Sequence, residues 1–266
     1  MIKILVIGDI VGRCGRWVVA SILPNLKKEY NIDFTIANAE NAAGGFGLTP
    51  KVAEELYSYG VDLLTTGNHI FNKKEIFKIL DEQKRLLRPL NYPEGVPGRG
   101  SCIVNLRDDI YLGVINLSGR VFIENLDCPF RKVMPEINKL KQKTNIIIVD
   151  MHGEATSEKV AMGWYLSGKV SAVVGTHTHV QTADERIFPT GTAYITDIGM
   201  TGPKDSIIGI KIDKIIKRFL TQIPLRMEVA KGPGIFCGVV IDIDEKEGKA
   251  RNIKRIQLSL EERRAA

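Results

Sequence analysis

The chain reads as an α/β protein in which two packed sheets lie between outer helices. Three observations predict this. Short apolar runs recur along the 266 residues, helix signals fall between them, and two hairpin patterns break the alternation. Strands alternating with helices build a mainly parallel sheet, and the hairpins add antiparallel pieces.

The apolar runs come in the order Ile4–Ile7, Phe34–Ala37, Val61–Leu64, Ile146–Val149, Val170–Val174 and Ala193–Ile195, and each reads as a buried strand. Thr49 before Pro50 gives an N-cap followed by proline at the first helical position, leading into Val52, Leu56 and Tyr57. Asn72 with Glu75 resembles a capping pair ahead of Ile76, Phe77 and Leu80. Ile212, Ile215, Ile216, Phe219 and Leu220 repeat at helical spacing and read as a core-facing stripe. Ser101–Asn105 with Ile110–Leu117, and Ile235–Ile243 with Ala250–Leu258, each flank a polar turn and read as hairpins. Pro93–Gly100 reads as a loop. No linker, repeat or low-complexity tract divides the chain, so residues 1–266 read as one domain.

At 44% hydrophobic and 26% charged, the composition is that of a globular protein with a core. Lys plus Arg is 37 and Asp plus Glu is 31, giving a net charge of +6. That surplus suits an anionic substrate such as a phosphate ester, but is too dispersed for a dedicated nucleic-acid binder. Cys14, Cys102, Cys128 and Cys237 lie far apart without a Cys-x-x-Cys pair, which excludes a zinc ribbon and a redox pair. They read as free thiols of a reducing cytoplasm. The N-terminal apolar run is too short for a signal peptide, and no stretch reaches the roughly 18 apolar residues that span a bilayer. A cytoplasmic protein without membrane contact is expected.

The four histidines, His69, His152, His177 and His179, all follow apolar runs closely. Ligands of open α/β sheets collect outside the carboxyl ends of strands. The same ends offer Asp9, Glu40, Asn41 and Asn68. Hard oxygen donors mixed with imidazoles, and no thiolate, suit Fe, Mn or Zn. Asp9, Glu40, Asn41, Asn68, His152, His177 and His179 are too many for one ion and fit two ions sharing a carboxylate. Two ions about 3.5–4 Å apart can clamp the attacking and leaving oxygens of a displacement at phosphorus. His177 and His179 would face one way on a strand, but in a turn beyond it could reach different ions. Metal-dependent amidohydrolases also use His-x-His, but after their first strand; here Asp9 holds that place and the pair comes late.

Neither G-x-G-x-x-G nor G-x-x-x-x-G-K-[ST] occurs, so a nucleotide-cofactor fold is unsupported. The loop Ala42–Gly47 is expected to pass close to the metals. Arg13 and Arg120 stand open between holding a substrate phosphate and a solvated surface role. Asp150 and Asp197 stand open as groups that orient ligand histidines.

Taken in order, Gly8-Asp9, Glu40-Asn41, Gly67-Asn68-His69, Met151-His152-Gly153 and Gly175-Thr176-His177-Thr178-His179 resemble the calcineurin-like metallophosphoesterases. Asn38–Gly45, Thr66–His69, His177–Asp184 and Thr196–Gly202 resemble more closely the YmdB-like branch, over essentially the whole chain. The resemblance implies a four-layer α/β/β/α sandwich and two divalent or trivalent ions, Fe first, with Mn or Zn as alternatives. It implies that Asp9, Glu40, Asn41 and His179 bind one ion, that Glu40, Asn68, His152 and His177 bind the other, and that Glu40 bridges. His69 is then the acid that protonates the leaving oxygen, and a metal-bridged hydroxide is the nucleophile. The implied activity is hydrolysis of phosphodiesters such as 2',3'-cyclic nucleotides, with RNA ends as further candidates and a homo-oligomer as the assembly. Two departures from the wider superfamily are shared by the YmdB-like branch. Val11 stands where histidine is usual, and Glu40 where aspartate is usual. The lost histidine motivates an alternative, a catalytically weak metal-containing signalling protein that binds a nucleotide.

Overall fold

The computed structural model describes residues 1–261. Its strands are β1 (Ile2–Ile7), β2 (Asp9–Ile10), β3 (Phe34–Asn38), β4 (Leu63–Thr65), β5 (Ser101–Arg107), β6 (Ile110–Ser118), β7 (Ile146–His152), β8 (Ala172–Thr176), β9 (Arg186–Ile187), β10 (Ala193–Ile195), β11 (Met200–Pro203), β12 (Gly234–Ile243) and β13 (Ala250–Leu260). Its helices are α1 (Gly12–Tyr30), α2 (Pro50–Ser58), α3 (Pro129–Leu140), α4 (Thr156–Leu166) and α5 (Ile212–Thr221).

One sheet runs β2-β11-β12-β1-β3-β4 with β13 beside β12; the other runs β5-β6-β7-β8-β10-β9. Side chains alternate across a strand, and the alternation here builds the layers. In β1, Ile4 and Val6 join Ile36, Leu63, Val114, Ile148 and Val174 in a core between the sheets. Leu5 and Ile7 turn the other way, against Val18, Val19 and Leu23 of α1 and Leu56 of α2. On the far side, Ile147, Val149 and Val173 pack against Val133 and Ile137 of α3 and Met162 and Leu166 of α4. The result is the four-layer α/β/β/α sandwich. Each fully buried Leu, Ile or Val side chain contributes about 1.5–3 kcal/mol to holding these layers together.

Parallel pairing positions the site. β1, β3 and β4 run parallel, as do β6, β7, β8 and β10. Their carboxyl ends deliver Asp9, Glu40, Asn68, His152, His177 and Asp197.

Helix α2 is capped as expected: Thr49 Oγ1 accepts from the Val52 amide at 3.4 Å, with Pro50 as its first residue. Both hairpins form, as β5–β6 and β12–β13. Two expectations are corrected. Residues after Asn72 form no α-helix but a 3-10 turn over Lys74–Lys78, without a side-chain cap, because the Asn72 amide is turned to His69. The α5 stripe is not core. Only Ile215 is buried, while Phe219 and Leu220 are 71% and 80% exposed. Among the described residues no helix is long and apolar enough to cross a membrane.

Candidate metal centre

β3 ends at Asn38, and the chain turns at once. The Asn38 side-chain oxygen accepts from the Glu40 amide at 3.1 Å, which curls the backbone so that Glu40 and Asn41 meet the strand ends. Glu40, Asp9 and His152 are fully buried, and Asn41 nearly so.

Glu40 Oε1 lies 3.1 Å from His152 Nε2 and 3.1 Å from Asn41 Nδ2. Around His152 Nε2 also converge Asn68 Oδ1 at 3.2 Å and His177 Nδ1 at 3.0 Å. On the other side, His179 Nε2 lies 3.3 Å from Asn41 Nδ2 and 3.8 Å from Asp9 Oδ1. Seven side chains remote in sequence thus form two donor groups that meet at one carboxylate. Donor atoms of Glu40, His152 and His177 all lie within 4.8 Å of one another, close enough to hold one ion.

The donor set fits metal ions on a further observation. Asp9 Oδ1 and Asn41 Oδ1 are buried without a hydrogen-bond partner. Leaving such an oxygen unsatisfied costs about 1–3 kcal/mol, and more for a charged group, so the Asp9 carboxylate oxygen, 3.8 Å from His179 Nε2, is suited to a cation. Gly67 adds a steric reason: a Cβ there would lie 2.2 Å from His152 Nε2 and 2.4 Å from Glu40 Oε2, so only glycine lets this backbone run so close.

Charge is arranged accordingly. Burial pushes the Asp9 carboxyl up to about 6, against the pull of His179 and His152. Burial also works against Glu40, but His152 more than offsets it and holds that carboxylate well below its usual range. Burial would lower His152; Glu40 and Asp9 overcome it and raise the imidazole to about 9. His177 falls to about 3 through burial and the neighbouring His152. A proton on His152 thus offsets the carboxylates, and neutral His177 accepts from His152 Nε2 through its Nδ1 at 3.0 Å.

Ring orientations are set from behind. The Thr176 hydroxyl donates to Asp150 at 2.7 Å, so it accepts from His152 Nδ1 at 2.9 Å and turns Nε2 inward. Asp150 also accepts from Thr65 and Asn38. His179 Nδ1 donates to the Ile208 carbonyl at 3.0 Å, which likewise frees Nε2. His177 and His179 both sit in the left-handed region, at φ 94° and 66°, a cost of roughly 1–3 kcal/mol each. Thr178 between them is pinned to Asp197, which accepts from its amide at 3.0 Å and from its hydroxyl. The fully buried Lys159 donates to the same Asp197 carboxylate at 2.9 Å. The pair therefore lies in a turn beyond β8, and its two rings join different donor groups.

His69 lines the same cavity, about 300 Å³, with Glu40, Asn41, Glu154, His177 and His179. Its Nδ1 meets Asn72 Nδ2 at 3.2 Å, and Phe46 packs against it edge-on at 5.2 Å between ring centroids. Of the two open acids, Asp150 acts on His152 through Thr176, and Asp197 acts on the backbone between the histidines rather than on a ring. Arg120 is exposed and meets Glu158 through its main chain. Sequence reading missed Thr176, Lys159, Glu154 (3.1 Å from His177 Nε2) and Arg218, which also lines the cavity. None of these four left a signal in the sequence.

The chain is similar to known proteins over nearly its whole length. A 2',3'-cyclic-nucleotide 2'-phosphodiesterase of Bacillus subtilis (strain 168) is 52% identical over 97% of this chain and 97% of its own. A crystal structure from Mycoplasma pneumoniae, described as a novel phosphatase, superimposes with a TM-score of 0.92 at 35% identity, covering 99% of this chain and 95% of that one. A hypothetical protein from Thermus thermophilus gives 0.91 at 38% identity, covering 97% of this chain and 100% of that one. Residues 5–256 match the family model described as YmdB-like protein. With residues 5–256 matched by the family model and a relative 52% identical over 97% of the chain, the chain belongs to the YmdB-like family.

Proposed function

We propose that this protein is a metal-dependent phosphodiesterase acting on 2',3'-cyclic nucleotides, with two ions held by seven side chains and His69 as the acid. The observation that carries this reading is Glu40 Oε1 as the shared corner of two donor groups, beside the buried, unpartnered Asp9 Oδ1. Asp9, Glu40, Asn41 and His179 would hold one ion, and Glu40, Asn68, His152 and His177 the other. Asn41 would turn its amide over to present oxygen. The donor set suits Fe, Mn or Zn, and the family resemblance puts Fe first. Bound there, the ions would supply Lewis-acid polarisation of the phosphoryl group and acidify water.

The chain's own groups do the rest. Asn72, 3.2 Å from His69 Nδ1, holds the ring in place, and in its protonated imidazolium form His69 would give a proton to the ribose oxygen that departs from phosphorus and return to neutral imidazole. The Phe46 edge restricts rotation of that ring. Asp150 with Thr176, and Asp197 with Lys159, keep the inner imidazoles aimed before substrate arrives. A cavity of about 300 Å³ suits a small nucleotide. The activity named for the Bacillus subtilis relative supports the same substrate class. One catalytic domain over residues 1–266, a homo-oligomeric assembly, a cytoplasmic location and RNA ends as substrates belong to this reading.

The test is turnover of a 2',3'-cyclic nucleotide by metal-loaded protein and by the His69→Ala and Asn68→Ala variants. Both substitutions should cut turnover steeply. Unchanged rates in both remove the mechanism, and a nucleotide bound tightly yet left intact favours a signalling role instead.

A further inference from the structure

A second, larger cavity of about 890 Å³ adjoins the catalytic one, and a mononucleotide substrate leaves it without a purpose. The two share Met227, and the turn between them places Gly44 on the wall of one and Gly45 on the wall of the other. Gly45 packs so tightly that a Cβ there would lie 2.6 Å from Val229, a wall residue of the larger cavity.

The larger cavity is cationic. Arg13, Arg226 and Lys231 line it, and Arg218 lines the catalytic cavity next door. Among the described residues, none of these four side chains forms an ion pair or a hydrogen bond. The wall has one carboxylate, Glu228, and it is already taken up by Lys211 at 2.6 Å and Lys214 at 3.7 Å. The net charge of +6 is dispersed over the chain as a whole, but here free cations are concentrated beside the reaction centre. Trp17 adds an aromatic surface to the same cavity lining. Free cations along a groove with an aromatic surface are what a single nucleic-acid strand needs: charge for its phosphates and a face for a base.

We propose that this cavity holds the nucleotides preceding a terminal 2',3'-cyclic phosphate, so that an oligoribonucleotide is a better substrate than the free mononucleotide. This rests on the phosphodiesterase reading and extends it. The chemistry is unchanged: water adds to phosphorus, one P–O bond of the cyclic phosphate breaks, and the released ribose oxygen takes its proton from His69. A terminal phosphate monoester remains on the strand.

The experiment compares kcat/KM of metal-loaded protein for 2',3'-cyclic AMP and for a short oligoribonucleotide ending in the same cyclic adenylate. The oligonucleotide should be preferred roughly tenfold or more, and added salt should lower its kcat/KM more steeply than that of the mononucleotide. The exposed-site variant Arg13→Glu/Lys231→Glu should shrink the ratio toward one. Equal rates on both substrates, with equal salt dependence, overturn the subsite while leaving the phosphodiesterase intact. A ratio that survives the double variant overturns the assignment to this cavity. No turnover of either substrate defeats the phosphodiesterase reading itself.

Discussion

Asn72 places its side-chain amide 3.2 Å from His69 Nδ1, one 3-10 turn further along the chain. This contact holds the His69 ring in a fixed orientation at the cavity wall. His69→Ala should lower kcat for a cyclic nucleotide by roughly 10²–10⁴, and Asn72→Ala by a smaller factor in the same direction. An aryl phosphodiester, whose phenolate leaves without a proton, separates the role from mere structure. The His69→Ala defect should shrink sharply on it. An equal defect on both substrates would falsify the acid assignment.

The raised pKa of His152 makes the metal-free protein sensitive to alkali. Burial alone would lower it, and Glu40 lifts it from 6.5 to about 9. A folded-state value above the unfolded one gives stability that is complete below pH 6.5 and lost as pH rises through about 9. Melting temperatures of chelator-treated protein should therefore fall over that window. Metal must displace the same proton, so apparent metal affinity should rise over the window. A flat melting profile together with pH-independent metal affinity would contradict the assignment.

Thr176→Val keeps the side-chain shape but removes the hydroxyl that links Asp150 to His152. Metal affinity should fall roughly 10–100-fold, as is usual when the group behind a ligand histidine is lost. Titration with a metal indicator reads this directly. Unaltered affinity would mean that Thr176 does not set the ring.

Gly67→Ala puts a methyl group 2.2 Å from His152 Nε2 and 2.4 Å from Glu40 Oε2. Either the ring or the backbone must move. Elemental analysis of the purified variant should find well under the wild-type metal content, while circular dichroism stays close to wild type. Full metal content would show that the strand end is more yielding than its packing implies.

The sequence made the site more legible than the helices that support it. Each donor follows a short apolar run, so strand ends and candidate ligands were found together, from Asp9 after β1 to His177 after β8. Helix α1 was not legible. Three of its first four residues, Gly12, Cys14 and Gly15, are poor helix formers, and Gly15 must lie against β11, where a Cβ would stand 2.3 Å from the Thr201 carbonyl. The Asn72 and Glu75 pattern misled for a related reason: the asparagine side chain has a better use on His69. The α5 stripe has true helical spacing, but burial depends on what the fold brings opposite it. Only Ile215, on the cavity wall, meets a partner. Thr176 and Lys159 act through distances between strands and helices that no local pattern encodes.

The division of donors between the two sheets has a bearing on assembly. Asp9, Glu40, Asn41 and Asn68, all oxygen donors, come from the first sheet's strand ends; His152, His177 and His179 come from the second's. A fragment ending before Ile146 has the oxygens without the inner imidazoles, and the remainder has the reverse. On the proposed ligand set neither half would trap an ion as the whole would, so tight capture would report that the two halves have docked. An ion held there would act as a rivet across the seam.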